Sequence, residues 1–400
     1  MGNLYPPHHF GGYEQVWGSA VEYLRERGHE VRVLATRFRH TGVPDGDEPD
    51  LFRELRWYWR DHEFERFGLR ERVRIERHNH AVLACHLNEL TPDVVAFWSM
   101  GGMSHSLIES VRRLGIPSVA FVHDQWLDYG RFTDQWLRLF YNRRWLPARL
   151  AERLIGVPAY VNYAFAARYV FVSEFVRRRA LALSLGLRDT TVAHSGIASS
   201  FLCSGSGRVW GWRLLYVGRL HPDKGIHDAV AALALLPDEA TLTFAGSWDP
   251  REEAGLSDAV NQLGLRDRVT LLGQLPADKI GELYRSSDVL LFPVRWDEPW
   301  GLVPLEAMGS GCPVIATGRG GSGEYLRDGE NCLLVPTEAP DHLAGAVGRL
   351  AASDELRQRL RRGGIRSAPQ YTETIFNEAV EGHLIEMASR TSTPPQSSPG

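Results

Sequence analysis

The strongest constraint on this chain is a repeated alternation. Short apolar runs of strand length give way to loops and then to amphipathic helical patterns along most of the sequence. In the first half the strand-like runs are EVRVLAT (30–36), VRIERHN (73–79), VVAFWSM (94–100), SVAFVHD (118–124), YVFVSEF (169–175) and TTVAHSG (190–196). In the second half they are RLLYVGRL (213–220), ATLTFAG (240–246), RVTLLGQL (268–275), DVLLFPV (288–294), PVIAT (313–317) and CLLVP (332–336). Most are near-continuous β-branched or aromatic runs, as in strands covered on both faces. Between them, Val16, Ala20, Val21 and Leu24 recur at helical spacing within 12–27, and a second helical pattern over 104–114 ends at Gly115 and Pro117. Such alternation predicts parallel sheets with right-handed crossovers, an α/β fold.

At 400 residues the chain has room for two to three domains. FLCSGSGRVWGW (201–212) is rich in Gly and Ser and reads as a hinge. The expected layout is an N-terminal Rossmann-like domain over 1–200, a hinge over 201–212 and a C-terminal domain over 213–388, with its last helix able to return to the first domain. A Ser/Thr/Pro-rich tail, 389–400, reads as disordered. Two facing doubly wound domains would place ligands where the carboxyl ends of their strands meet. Only Met1 and Gly2 precede the loop NLYPPHHFGG, so the first strand of the first domain looks missing, or the natural start lies upstream. A missing central strand would expose its neighbours' edges. Residues 40–66 read as an acidic, Pro-containing loop followed by helix-like aromatic sequence, WYWRDHEFERF, an insertion near the acceptor side.

Composition narrows the function. The formal charge is −4, with 45 Lys and Arg against 49 Asp and Glu, which argues against a nucleic-acid binder. Cys85, Cys203, Cys312 and Cys332 lie far apart, without the spacing of a zinc site, and suit a reduced cytoplasmic compartment. No apolar run is long enough for a membrane span. The basic, aromatic stretch 131–153 can pack on its own domain, lie at the inner face of a membrane as a peripheral contact, or grip an anionic acceptor. Lys224 and Lys279 are the only lysines in an Arg-rich chain.

Four motifs carry chemistry. In WDEPWGLVPLEAMGSGCPVIAT (296–317), Glu298 falls in a post-strand loop and Glu306 in the first turns of a helix starting near Gly301. Carboxylates accept hydroxyl hydrogen bonds, which suits vicinal diols, and the N–H groups around Trp300, Gly301 and Leu302 would form an anion site at the helix start. A nucleotide sugar carries its groups in that order: sugar hydroxyls, diphosphate, ribose. In YVGRLHPDKG (216–225), Arg219 offers a planar fork and Lys224 a point charge to phosphate. In HFGGYE, Gly11 and Gly12 let backbone approach a ligand just before a helix. In FVHDQW, His123 follows a strand and falls at the cleft, with Asp124 beside it. Each motif also has an ordinary structural reading: surface carboxylates, a solvated basic loop, a turn, a structural histidine.

The spacing of Glu298 and Glu306 within Pro-x-Gly-Leu-x-x-x-Glu-Ala-Met, joined to G-R-L-x-x-x-K-G, resembles the retaining glycosyltransferases of family 4 (group 1), which have the GT-B fold. The resemblance implies that Glu298 contacts the donor sugar, Glu306 the ribose, and Arg219 and Lys224 the diphosphate. It further implies that the glycine loop at Gly11 and Gly12 reaches the donor phosphate, and that His123 faces the reacting sugar. It implies a nucleotide-sugar co-substrate, UDP-, GDP- or similar, with no cofactor and no metal. His194 stands where the family usually has Pro-Asn-Gly-Val, and its role is unassigned. Gly318, Gly320 and Gly323 formally match a dinucleotide motif, with Glu338 as the acid, which keeps a nicotinamide oxidoreductase as a rival; the family has a Gly-Gly-x-x-Glu turn here, Gly320, Gly321 and Glu324. Asp45-Gly46-Asp47 has the form of a metal-binding pair but lacks a preceding strand. A GT-B epimerase or phosphorylase and an inactive carbohydrate-binding relative are compatible with the same motifs. The acceptor is not named by any motif.

Overall fold

A computed structural model describes residues 1–9, 11–46, 48–59, 66–141, 145–202, 209–248 and 250–390. The chain divides into two compact units: Met1–Ala193 continued by the segment from Asn377, and His194–Phe376. The hinge residues 203–208, residues 60–65, Asp47 and the tail from 391 lie outside the described residues.

The second unit is built on six parallel strands: β7 (Arg213–Val217), β8 (Thr241–Ala245), β9 (Val269–Leu271), β10 (Val289–Phe292), β11 (Val314–Ala316) and β12 (Leu333–Leu334). All six fall inside runs read from the sequence. Their order is β12-β11-β10-β7-β8-β9, so the winding reverses between β7 and β10. Leu214, Tyr216, Leu242, Phe244, Val289, Leu291 and Ile315 belong to one buried cluster with apolar residues of helices Ile226–Ala234 and Pro340–Ala352. Burial on both faces is why these runs are continuously apolar.

The first unit contains β1 (Val33–Thr36), β2 (Leu51–Leu55), β3 (Val95–Phe97), β4 (Ser118–Val122), β5 (Arg168–Phe171) and β6 (Thr190–Val192). They pair in parallel as β1-β2 and as β3-β4-β5-β6. The gap between these two sheets, where a first strand would stand, is bridged by Met1–Asn3. Gly2 N donates to Leu34 O and Thr36 N to Asn3 O on one side, while Asn3 N donates to Ser99 O and Trp98 N to Met1 O on the other. The neighbouring edges are therefore covered rather than open.

Two readings are corrected. VRIERHN (73–79) is not a strand: it lies within the helix Leu69–Leu90. Val73 and Ile75 alternate over a short window, but Ile75, Asn79, Leu83 and Leu87 are buried four residues apart, and the longer period decides. LFREL (51–55), which the sequence places in a loop, is β2. Its inward positions hold Arg53 and Leu55, and Arg53 Nη2 donates to Tyr5 O and Pro6 O at 3.1 and 2.8 Å, so an arginine stands where alternation wants an apolar residue.

The last helix, Glu373–Ser389, packs from Asn377 onward on the first unit. Glu381 accepts from Arg27 Nε at 2.7 Å, and Glu386 holds Arg168 by two bonds of 2.6 and 2.7 Å. In bidentate form such pairs add geometric specificity.

Candidate functional site

In open α/β sheets ligands bind at the carboxyl ends of strands where the winding reverses. In the second unit that point lies between β7 and β10, and the loops leaving these two strands carry Lys224 and Glu298. A short turn, Pro222–Lys224, ends at Gly225 with φ +73°. A Cβ at Gly225 would lie 1.9 Å from Pro293 O, so only glycine lets the first loop press against the end of β10. Lys224 Nζ thereby donates to Glu298 Oε2 at 2.5 Å. The indole Nε1 of Trp296 donates to the same oxygen at 2.7 Å, and the Lys224 ammonium stands 4.6 Å from the Trp296 ring centroid. Glu298 is buried. Both bonds fall on Oε2. Its other oxygen retains acceptor capacity, and an ammonium has three N–H donors, two more than this bond uses.

The backbone of Glu298 is held from a third segment. Gly321 N donates to Glu298 O at 2.7 Å, and a Cβ at Gly320 would lie 2.3 Å from that oxygen. Arg319 pairs with Asp297 at 2.8 Å. The turn containing Gly318, Gly320 and Gly323 is thus a buttress for Glu298. It runs on as the 3₁₀ helix Gly320–Glu324, not as the α-helix a dinucleotide motif opens. Glu338 stands 3.5 Å from Arg295, itself clamped by Asp228 at 2.9 and 2.6 Å. The nicotinamide reading loses the α-helix it requires.

The helix Leu302–Gly309 begins at Gly301, φ +84°, with no side chain capping its first turn. Its leading N–H groups, Leu302 among them, therefore lack intrahelical acceptors. The Trp300 side chain is buried away from this face: its Nε1 donates to Ser195 O at 2.8 Å, and its ring stacks on His194 at 4.2 Å. His194, unassigned from the sequence, is thus a packing partner of Trp300. Glu306 accepts from Tyr284 Oη at 2.8 Å. Burial pushes the Glu306 carboxyl up to about 7, against the Tyr284 hydrogen bond and with help from the Glu373 charge. Arg219 is exposed in the loop after β7, its carbonyl accepting from Tyr216 Oη at 3.2 Å.

In the first unit, Gly11 caps the helix Gly12–Glu26, and its N–H donates to Glu14 Oε2 at 3.2 Å. Gly11 is extended, and nothing lies within 4 Å of where its Cβ would be. His123 follows β4 and is buried, its ring stacked on Tyr13 at 4.6 Å and edge-on to Trp98 at 5.8 Å. Burial lowers its pKa to about 3, so it is neutral at working pH. Tyr13 Oη donates to Phe121 O at 2.5 Å. Asp124 accepts from Trp126 N at 2.9 Å and Tyr129 Oη at 2.8 Å; burial raises it to about 6 despite both bonds. Asp45 is taken by His8, Arg39 and Arg53. Among the described residues no cluster of three or more His, Cys, Asp or Glu side chains could hold a metal.

The structure thus brings Lys224 and Glu298 into direct contact, sets Glu306 on the adjoining helix, and places Gly11, His123 and Asp124 in the first unit, with no contact between Gly11 and the other two among those described. Sequence reasoning missed Trp296 and Tyr284. Trp296 stands two residues before Glu298 in the same motif; Tyr284 is remote in sequence and carried no signal.

Two doubly wound α/β units with a cation–carboxylate pair at a switch point define a GT-B protein of the glycosyltransferase type. Residues 211–367 match the family model "Glycosyl transferases group 1", and residues 10–201 match "Glycosyltransferase Family 4". The chain belongs to this family. It is 38% identical over 139 residues to an uncharacterized glycosyltransferase, MJ1607, of Methanocaldococcus jannaschii, covering 34% of this chain and 35% of that protein. It is 35% identical over 184 residues to a D-inositol 3-phosphate glycosyltransferase of Acidothermus cellulolyticus, covering 43% and 39%. These matches span well under half of the relatives' length. The fold is shared with sucrose-phosphate synthase from Thermosynechococcus elongatus (TM-score 0.69, 18% identity, 96% and 94% coverage). It is also shared with the Anabaena protein HepE, solved with UDP and glucose (TM-score 0.68, 20% identity, 96% and 97% coverage).

Proposed function

We propose that the protein transfers a glycosyl group from a nucleotide-sugar donor to an acceptor hydroxyl, with retention of anomeric configuration and without a metal or cofactor. The observation that carries this reading is the Lys224–Glu298 contact at the β7/β10 switch point, beside the uncapped helix start at Gly301. Lys224 keeps one N–H on Glu298 and offers the others to the donor diphosphate. Arg219 and the N–H groups of Trp300, Gly301 and Leu302 complete the anion site. Glu298 accepts from a sugar hydroxyl and Glu306 from the ribose. Gly11 and Gly12 approach the phosphate, and neutral His123 faces the reacting sugar. That HepE was solved with UDP and glucose supports a nucleotide-sugar donor.

In this mechanism the acceptor oxygen attacks from the face the diphosphate leaves. The bond from the anomeric carbon to the phosphate oxygen breaks, the bond to the acceptor oxygen forms, and the acceptor proton passes to the departing phosphate. Arg219, Lys224 and the helix amides stabilise the charge that develops there, which makes them the catalytic electrostatics. Among the described residues no helix is long and apolar enough to cross a membrane. We place the enzyme in the cytoplasm, with peripheral contact at the inner face of the membrane through the 131–153 stretch, where Arg149, Leu150 and Arg153 are exposed.

The test is incubation with a panel of UDP-, GDP-, ADP- and dTDP-sugars and mixed acceptors, with products read by NMR. A new glycoside with the donor's anomeric configuration, unaffected by EDTA, is expected. Epimerised nucleotide sugar, or sugar phosphate formed with added phosphate, would replace this reading by an epimerase or a phosphorylase.

A further inference from the structure

Trp296 stands in the loop after β10, two residues before Glu298. The loop is fixed just ahead of it. Arg295 N donates to Asp223 O at 2.8 Å, and the Arg295 guanidinium binds both oxygens of Asp228 at 2.9 and 2.6 Å. Asp223 and Asp228 lie on either side of Lys224 in the chain, so this clamp holds the lysine's segment against the tryptophan's. The Trp296 side chain then meets both members of the ion pair. Its N–H edge lies 2.7 Å from Glu298 Oε2, and its ring centroid lies 4.6 Å from Lys224 Nζ. Indole is the strongest aromatic partner for a cation, and its nitrogen is a donor only. Apolar burial does not account for this placement. Trp296 is 39% exposed, whereas Trp300 in the same motif is 3% exposed.

An ammonium and a carboxylate left to themselves bond through either oxygen or through both. The indole N–H claims Oε2 alongside Lys224, so the two described bonds share one oxygen and leave Oε1 to a ligand. The ring attracts the ammonium through its face, so Lys224 is held without a second carboxylate to neutralise it. A Cβ at Gly301 would lie 3.1 Å from Glu298 Cγ, so the carboxylate arm is confined from the helix start as well.

We propose that Trp296 is a positioning residue of the donor site: its N–H aims the Glu298 carboxylate at the sugar, and its ring holds Lys224 at the diphosphate. One side chain thereby couples the two halves of donor binding. The inference rests on the glycosyltransferase reading and adds to it a residue that acts through Lys224 and Glu298.

The experiment compares the wild type with Trp296→Phe, which keeps a ring but loses the N–H, and Trp296→Leu, which loses both. It reads kcat and KM for the nucleotide sugar that the wild type turns over, and thermal stabilisation by UDP, GDP, ADP and dTDP. It also reads the indole N–H signals by nitrogen-15 correlation NMR without ligand. The chain has twelve tryptophans, and the signal missing from Trp296→Phe identifies this one. Trp296→Phe should bind the nucleotide within twofold of the wild type, yet lose roughly tenfold in kcat. Trp296→Leu should lose at least as much in kcat and also bind the nucleotide roughly fivefold more weakly. The Trp296 signal should move upfield in Glu298→Gln, because a neutral amide accepts more weakly than a carboxylate. Wild-type kcat and KM in Trp296→Phe, equal nucleotide binding by Trp296→Phe and Trp296→Leu, or an indole signal indifferent to Glu298→Gln would each overturn the proposal. A wild type stabilised by no nucleotide overturns the donor reading instead, while the indole signal still tests the Trp296–Glu298 contact, so the two failures are distinct.

Discussion

The two units have the same kind of sheet but equip its carboxyl end differently. In the second unit the switch point is polar and locked: an ammonium and an indole N–H converge on one carboxylate oxygen, and glycines at 225 and 320 bring three loops within contact distance. In the first unit the corresponding end is mainly aromatic, with one buried carboxyl, Asp124. His123 is stacked and neutral, Asp124 is raised to about 6, and nothing lies within 4 Å of where a Cβ at Gly11 would be. The difference matches the two ligands proposed. A diphosphate is the same in every donor and can be met by fixed charges. An acceptor varies, and neutral groups suit it better.

The largest expected effect breaks the charged side. Lys224→Ala should lower the transfer rate by roughly 10²–10³, the usual loss for one donor to a developing anion. Circular dichroism should show the fold retained, and steady-state turnover near that of the wild type would contradict the assignment.

A pair of glycine substitutions sharpens the contrast between locked and open. Gly225→Ala meets a carbonyl at 1.9 Å from a left-handed backbone, and should cost about 1–3 kcal/mol of stability for the strain before any clash is counted. Gly11→Ala meets nothing, so its melting temperature should stay within error while nucleotide-sugar turnover falls. Equal melting temperatures for both variants would remove the distinction.

A smaller effect concerns pH. The Glu306 carboxyl must be ionised to accept two ribose hydroxyl bonds, yet burial holds it near 7. Nucleotide binding should therefore release a proton near neutrality, and affinity should fall as pH drops below about 7. Calorimetry in buffers of different ionisation enthalpy reads the proton, and Glu306→Gln should abolish it. Because its folded pKa lies above the unfolded one, Glu306 also makes the second unit less stable as pH rises from about 4.5 through 7.

The smallest effect at working pH belongs to His123, and its sign is opposite. Its folded pKa, about 3, lies below the unfolded value of 6.5. The unfolded chain takes up a proton the fold refuses, so stability is lost as pH falls below 6.5. Thermal melts from pH 7 to 5 should decline less steeply in His123→Gln. An unchanged slope would mean that His123 titrates normally.

The charged half was more legible than the aromatic half. Glu298, Glu306, Arg219 and Lys224 sit in two contiguous motifs, because the loops leaving adjacent strands carry the chemistry. Their contact was not legible, since it depends on Gly225 meeting Pro293 and on Gly320 meeting Glu298 across long stretches of chain. In the first unit, β2 hid behind an inward Arg53, and 73–79 imitated a strand over a window shorter than its helical repeat. Trp57 and Trp59 were visible as composition, but only the fold stacks them and ties one to Gly101. Trp300 shows the converse: its motif position is legible, while its side chain turns into the packing beside His194.

The central claim is a donor site for a nucleoside diphosphate at the β7/β10 switch point. A thermal-shift titration with UDP, GDP, ADP and dTDP, with and without EDTA, on the wild type, Lys224→Ala and Glu306→Gln tests it most directly. One nucleotide should stabilise the wild type by about 2.7 kcal/mol at a hundred times its dissociation constant, with EDTA making no difference. The same nucleotide should do markedly less for both variants. No response to any nucleotide, or an equal response in all three proteins, would contradict the account.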